Sequence, residues 1–118
     1  MARILAVVGD LFFADRLRNG LTALGHDARV IDLSLDSVPT LAPGDVDLAL
    51  VDLEAGEPAL AAVRSARAAG APVLAFGPHM DLALRDAGLT AGATQVVAKS
   101  KLTSSLPELV AHHLTKGS

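Results

Sequence analysis

Cysteine, tryptophan and tyrosine are absent from this sequence, and phenylalanine occurs three times. Without cysteine there can be no disulfide, no thiolate metal site and no thiol nucleophile, a pattern that fits a reducing compartment. An aromatic content of 3% leaves no series of ring faces on which unpaired bases could stack. Basic runs are missing too. Ten Lys and Arg stand against 13 Asp and Glu, for a net charge of -3, and no cluster could neutralise successive phosphates, so no nucleic-acid partner is expected. No apolar run reaches the length of a membrane span, and Asp10 follows the first strand too closely for a signal-peptide core, so a cytoplasmic protein without membrane contact is expected.

What is present is aliphatic. Hydrophobic residues make up 51% of the chain, so the core must be built from Ala, Leu and Val. The 118 residues show no compositional break and read as a single domain spanning 1–118, with no output domain.

Short apolar runs alternate with helical patterns along the chain. Arg3 to Val8 (RILAVV) is apolar after its first residue and stops at Gly9-Asp10, as a strand buried on both faces would. Phe13, Leu17, Leu21 and Leu24 recur at helical spacing within Leu11 to Leu24, ahead of Gly25. Ala28 to Ile31 reads as the second strand. Pro39 and Pro43 break the pattern between Leu33 and Gly44, where at most a short or irregular helix is expected.

Asp47 to Val51 is the third strand. Glu57 to Ala69 follows as a helix with Pro58 in its first turn and Gly70 beyond its end. Pro72 to Phe76 is a fourth strand, Asp81 to Ala91 a short helix and Gln95 to Ala98 a fifth strand. Thr103 or Ser104 can cap a last helix to about Leu114, with Pro107 and Glu108 in its first turn. Strands this apolar, joined by helices, must be parallel and covered on both faces. The expected fold is α/β, a doubly wound, flavodoxin-like three-layer sandwich with about five helices. Ligands in such sheets sit at the carboxyl ends of the strands, where the winding reverses.

Asp10, Asp52, Gly77 and the Lys99-Ser100 pair close the first, third, fourth and fifth strands. Two carboxylates at one edge repel unless a cation compensates them, so Asp10 with Asp52 invites Mg²⁺, and Lys99 invites an anion or a salt bridge. Over nearly its whole length the chain resembles the receiver domain of bacterial response regulators. The matching segments are ILAVVGD, DLALVDLEAG, PVLAFG and GLTAGATQVVAKS. The resemblance implies a five-stranded parallel sheet of order 2-1-3-4-5, with Asp52 at the phosphoacceptor position and Lys99 pairing with the phosphate or with a carboxylate. It also implies a Mg²⁺ site formed by Asp10, Asp52 and the backbone carbonyl of Glu54.

This sequence departs from that pattern at several points. Gly9 replaces the first acid of the pair, which weakens the metal site. Gly77 stands where the family has Thr or Ser, Val96 where many members have Tyr or Phe, and Ser100 where Pro usually follows the lysine.

Each candidate has two readings. Asp52 is either an aspartyl-phosphate site or a carboxylate held at a strand end by Lys99 or by backbone N–H groups. Asp10 is a residual metal ligand or an N-cap, and Lys99 is expected to pair with Asp52 in either case. His79, at the same edge, contacts an anion or is simply solvated. Adjacent His112 and His113 cannot face one metal from a helix, and His26 has no ligand partner nearby. No G-x-G-x-x-G, G-x-S-x-G or H-E-x-x-H pattern is present, and no enzymatic activity is expected.

The reading favoured by these features is a stand-alone receiver-like signalling domain that acts by protein–protein contact, its aspartyl phosphorylation weakened or lost. Its partner would be a histidine kinase or a downstream effector, or a second copy meeting it through about Asp81 to Leu114. One alternative is a phosphorylation-competent regulator at Asp52. Another is a flavodoxin-like binder of a nucleotide or other phosphate-bearing ligand, using openings at Gly9, Gly77 and Gly92 with His79 and Lys99 meeting the anion.

Overall fold

The computed structural model describes residues 2–78 and 81–116. Its elements in chain order are β1 (Arg3–Val8), α1 (Leu11–Ala23), β2 (Asp27–Asp32), β3 (Leu48–Asp52), α2 (Glu57–Ala68), β4 (Val73–Gly77), α3 (Leu82–Ala91), β5 (Gln95–Ala98), α4 (Lys99–Ser104) and α5 (Leu106–Lys116), with a 3-10 turn at Leu53–Ala55. The sheet order is β2-β1-β3-β4-β5, and every pairing is parallel. This is the expected flavodoxin-like topology.

Alternation along the strands explains the layers. Ile4, Ala6 and Val8 of β1 point to one face, where they meet Phe13, Leu17 and Leu21 of α1, Leu102 of α4 and Val110 of α5. Leu5 and Val7 point to the other, against Ala59, Ala62, Val63 and Ala66 of α2. β1, β3 and β4 are buried almost throughout, as continuous apolar runs must be when helices cover both faces. Each fully buried Leu or Val contributes roughly 1.5–3 kcal/mol, enough for three such strands to dominate folding.

Helix ends follow local chemistry. Asp81 Oδ1 accepts from Leu84 N at 2.9 Å and caps α3, and Gly92 ends that helix at φ +119°, in the left-handed region that costs glycine least. Within α3, a Cβ at Gly88 would lie 2.7 Å from Leu53 Cδ1, so that side-chain end would have to shift to admit one.

Between β2 and β3, where at most a short or irregular helix is expected, none forms, and Leu33, Val38, Leu41 and Val46 lay an irregular strap against the core. Pro39 and Pro43 deny this stretch the amide donors a helix needs. The five α-helices among the described residues are reached through α4, which begins directly at Lys99. One expectation is corrected: the last helix starts at Leu106 and neither Thr103 nor Ser104 caps it, their hydroxyls donating to the Lys99 and Lys101 carbonyls instead, with Glu108 in its first turn as expected.

Candidate functional site

The carboxyl edge of the sheet brings Asp10, Asp52, Gly77 and Lys99 to the ends of four adjacent strands. Asp52 is the last residue of β3 and is 3% exposed. Its Oδ1 accepts from Glu54 N at 3.0 Å, so it caps the 3-10 turn that leaves the strand. Burial raises its carboxyl above the ordinary value and the nearby Glu54 carboxylate adds to the rise, while the amides of Glu54 and Gly9 and the charge of Lys99 oppose it. Glu54 therefore acts on Asp52 through its N–H and its carboxylate.

Asp10 sits between Gly9 and α1. Its Oδ1 accepts from Phe13 N at 2.8 Å, the N-cap alternative for this residue. Its Oδ2 lies 3.8 Å from Lys99 Nζ. The same ammonium stands 4.2 Å from the centroid of the Phe13 ring, and that ring packs at 5.3 Å against Phe76 in the core. The expected Lys99–Asp52 pair is thus corrected: Lys99 pairs with Asp10 and stacks on Phe13, and it reaches Asp52 only as a through-space charge. α4 begins directly at Lys99, and Thr103 Oγ1 donates to the Lys99 carbonyl at 3.0 Å.

The donor set does not fit a firmly held Mg²⁺. Both Asp10 oxygens are engaged, one by a helix N–H and one by an ammonium, and one Asp52 oxygen is taken by Glu54. Gly9 supplies no carboxylate, and no group of three or more acidic or imidazole side chains among the described residues could hold a metal ion.

A Cβ at Gly77 would lie 3.1 Å from Leu84 Cδ2 and one at Gly92 3.1 Å from Arg67 Cγ, so side chains crowd these two positions, whereas one at Gly9 would meet Ala55 Cβ at an ordinary contact distance of 3.5 Å. Leu84 in particular occupies the space a hydroxyl-bearing side chain at position 77 would use.

Of the histidines, His79 lies outside the described residues. His113 is 2% exposed and its Nε2 meets Gln95 Oε1 at 2.8 Å, joining α5 to β5. His26 Nδ1 accepts from Ala2 N at 3.2 Å. Sequence reasoning missed an open cleft of about 580 Å³ between α1 and α4, flanked by Phe12, Arg16, Lys99 and Thr103. Phe12 is 88% exposed, and its position in the LFFADRL pattern, one residue before the periodic Phe13, is the signal that places it outside the core stripe. Among the described residues no helix is long and apolar enough to cross a membrane.

No protein-family model matches the sequence, and no curated protein is significantly similar. Solved structures are. A CheY-like response regulator receiver domain protein from Methanospirillum hungatei superposes with a TM-score of 0.78 at 18% identity, over 99% of this chain and 96% of that one. The signal receiver domain of a modulated diguanylate cyclase from Desulfovibrio desulfuricans gives 0.77 at 19% identity over 99% and 96%. NtrX from Brucella abortus gives 0.79 at 18% identity, covering 98% of this chain but 28% of that one. The fold is that of the response-regulator receiver domain.

Proposed function

We propose that this receiver fold serves as a signalling module that works by contact with a protein partner in the cytoplasm, with aspartyl phosphorylation weakened or lost and no catalysis of its own. The observation that carries the proposal is the commitment of the phosphoacceptor position and its neighbours to each other. Forming an acyl phosphate requires an Asp52 carboxylate oxygen to attack phosphorus while the donor's leaving group departs. Burial favours the protonated, non-nucleophilic form of Asp52. Lys99 is drawn to Asp10 and Phe13, and Leu84 covers Gly77, where no hydroxyl is available to meet a phosphoryl oxygen. The contact surface in this reading is the α3–β5–α5 side, from Asp81 to Leu114, and the partner is a histidine kinase, an effector or a second copy. This assignment of surface and partner rests on analogy with the fold.

The test is intact-mass analysis after incubation with acetyl phosphate and Mg²⁺, alongside titration with beryllofluoride. The expected outcome is no saturable, Mg²⁺-dependent modification. Saturable modification that disappears in Asp52→Asn would overturn the proposal and establish a phosphorylation-competent regulator.

A further inference from the structure

A second cavity, smaller and more enclosed, lies beneath α3 at the end of β5. It measures about 180 Å³ and is walled mainly by Leu53, Gly77, Leu84, Val96 and Val97. A void near 150 Å³ with such walls is enough to bind benzene, so this one has room for about one aromatic ring. The chain's own rings are elsewhere: Phe13 and Phe76 pack on the opposite face of the sheet, and Phe12 projects from α1. At the rim, Leu82 is 64% exposed and extends the apolar surface outward beyond the cavity mouth. Arg85, also at the rim, has no salt-bridge partner among the described residues. The neighbouring acid, Asp81, is engaged in capping α3.

We infer that this pocket receives one aromatic side chain from a protein partner, with an adjacent carboxylate of the same partner meeting Arg85. A buried ring with a charged flank is the composition of an interface anchor. A free molecule of ring size would fill the cavity and leave Leu82 uncovered, whereas a peptide segment covers both. The inference rests on the partner-contact reading above and supplies the chemistry of the contact.

The experiment uses methyl-labelled full-length protein and NMR titration with N-acetyl-phenylalanine amide and N-acetyl-phenylalanyl-aspartate amide. Saturable shifts are expected at the methyls of Leu53, Leu82, Leu84 and Val96, with the aspartate ligand binding roughly two- to five-fold more tightly, as an exposed ion pair would give. That advantage should vanish in Arg85→Gln. Val96→Phe, which fills the cavity from within, should abolish binding. If that variant fails to fold, Leu82→Ser, a change at an exposed rim position, should weaken binding at least two-fold. The absence of saturable shifts, unchanged binding in the cavity-filling or rim variant, or an aspartate advantage that survives Arg85→Gln would overturn the inference. So would toluene binding as well as the dipeptide, which would assign the pocket to a free small molecule. The titration reads binding at this pocket and the mass analysis reads modification at Asp52, so failure of either leaves the other result standing.

Discussion

Replacing Lys99 by Gln separates two arrangements of the carboxyl edge by their energies. With Lys99 held as described, the change removes a half-exposed ion pair to Asp10 at 3.8 Å and a cation over the Phe13 ring at 4.2 Å. The first is worth about 0.2–1 kcal/mol and the second about 0.5–1 kcal/mol, so the loss should be about 0.7–2 kcal/mol. Were Lys99 instead the counter-charge of buried Asp52, the change would strand that carboxylate and cost about 3–5 kcal/mol. Urea unfolding of the wild type and Lys99→Gln measures the total. Double-mutant cycles then apportion it. Asp10→Asn keeps a good N-cap and removes only the charge, so its coupling to Lys99→Gln isolates the ion pair and should lie between about 0.2 and 1 kcal/mol. Coupling between Lys99→Gln and Asp52→Asn should be the smaller of the two. A Lys99–Asp52 coupling that exceeds the Lys99–Asp10 coupling would refute the geometry and restore the pairing expected from the sequence.

Three further outcomes follow from the same packing. Because its folded-state carboxyl is raised, Asp52 stabilises the fold below its unfolded pKa, loses that contribution as pH rises through the folded value, and adds no slope above it. Asp52→Asn, which keeps an acceptor for Glu54 N, should therefore flatten that acidic slope and raise stability at neutral pH by on the order of 1 kcal/mol, read from urea midpoints across pH. Gly88→Ala should fall short of the roughly 1 kcal/mol gain that alanine's better helix propensity would give, since the new methyl meets Leu53 Cδ1 at 2.7 Å and that side chain must shift; thermal unfolding that shows the full gain would contradict the packing. Gly77→Ser should cost about 1 kcal/mol against Leu84, and much less when introduced into Leu84→Ala, a non-additivity that equilibrium unfolding can measure.

The strands were legible because burial on both faces leaves an unbroken apolar run, and β1, β4 and β5 fall within a residue or two of where their patterns put them. Strand order and the meeting of Asp10 with Lys99 at one edge follow from topology. What the sequence could not reveal is set by tertiary packing. Lys99 meets Asp10 and Phe13 from the start of α4, a six-residue helix whose only buried side chain is Leu102, too short to leave a periodic signature. Gly77 and Gly92 read as space because the pattern carries no sign of Leu84 and Arg67 packing against them. The cavity under α3 was invisible for the same reason, since volume is a property of the residues around a small side chain.

The strap between β2 and β3 determines where this molecule opens first. Its ends are tied by Leu33 N to the Val8 carbonyl and by Asp47 N to the Arg3 carbonyl, each at 2.8 Å. Between them, none of the described amides from Ser37 to Leu41 donates a hydrogen bond. Amide protons there exchange with solvent without waiting for global unfolding, while those of β1 and β3 wait for it. Lifting the strap uncovers Ile31 and the Leu5 and Val7 face of β1, while the Asp10–Lys99 pair lies against Phe13 on the opposite face. A protease should therefore nick this segment before it reaches the strands, with the Asp10–Lys99 pair still in place.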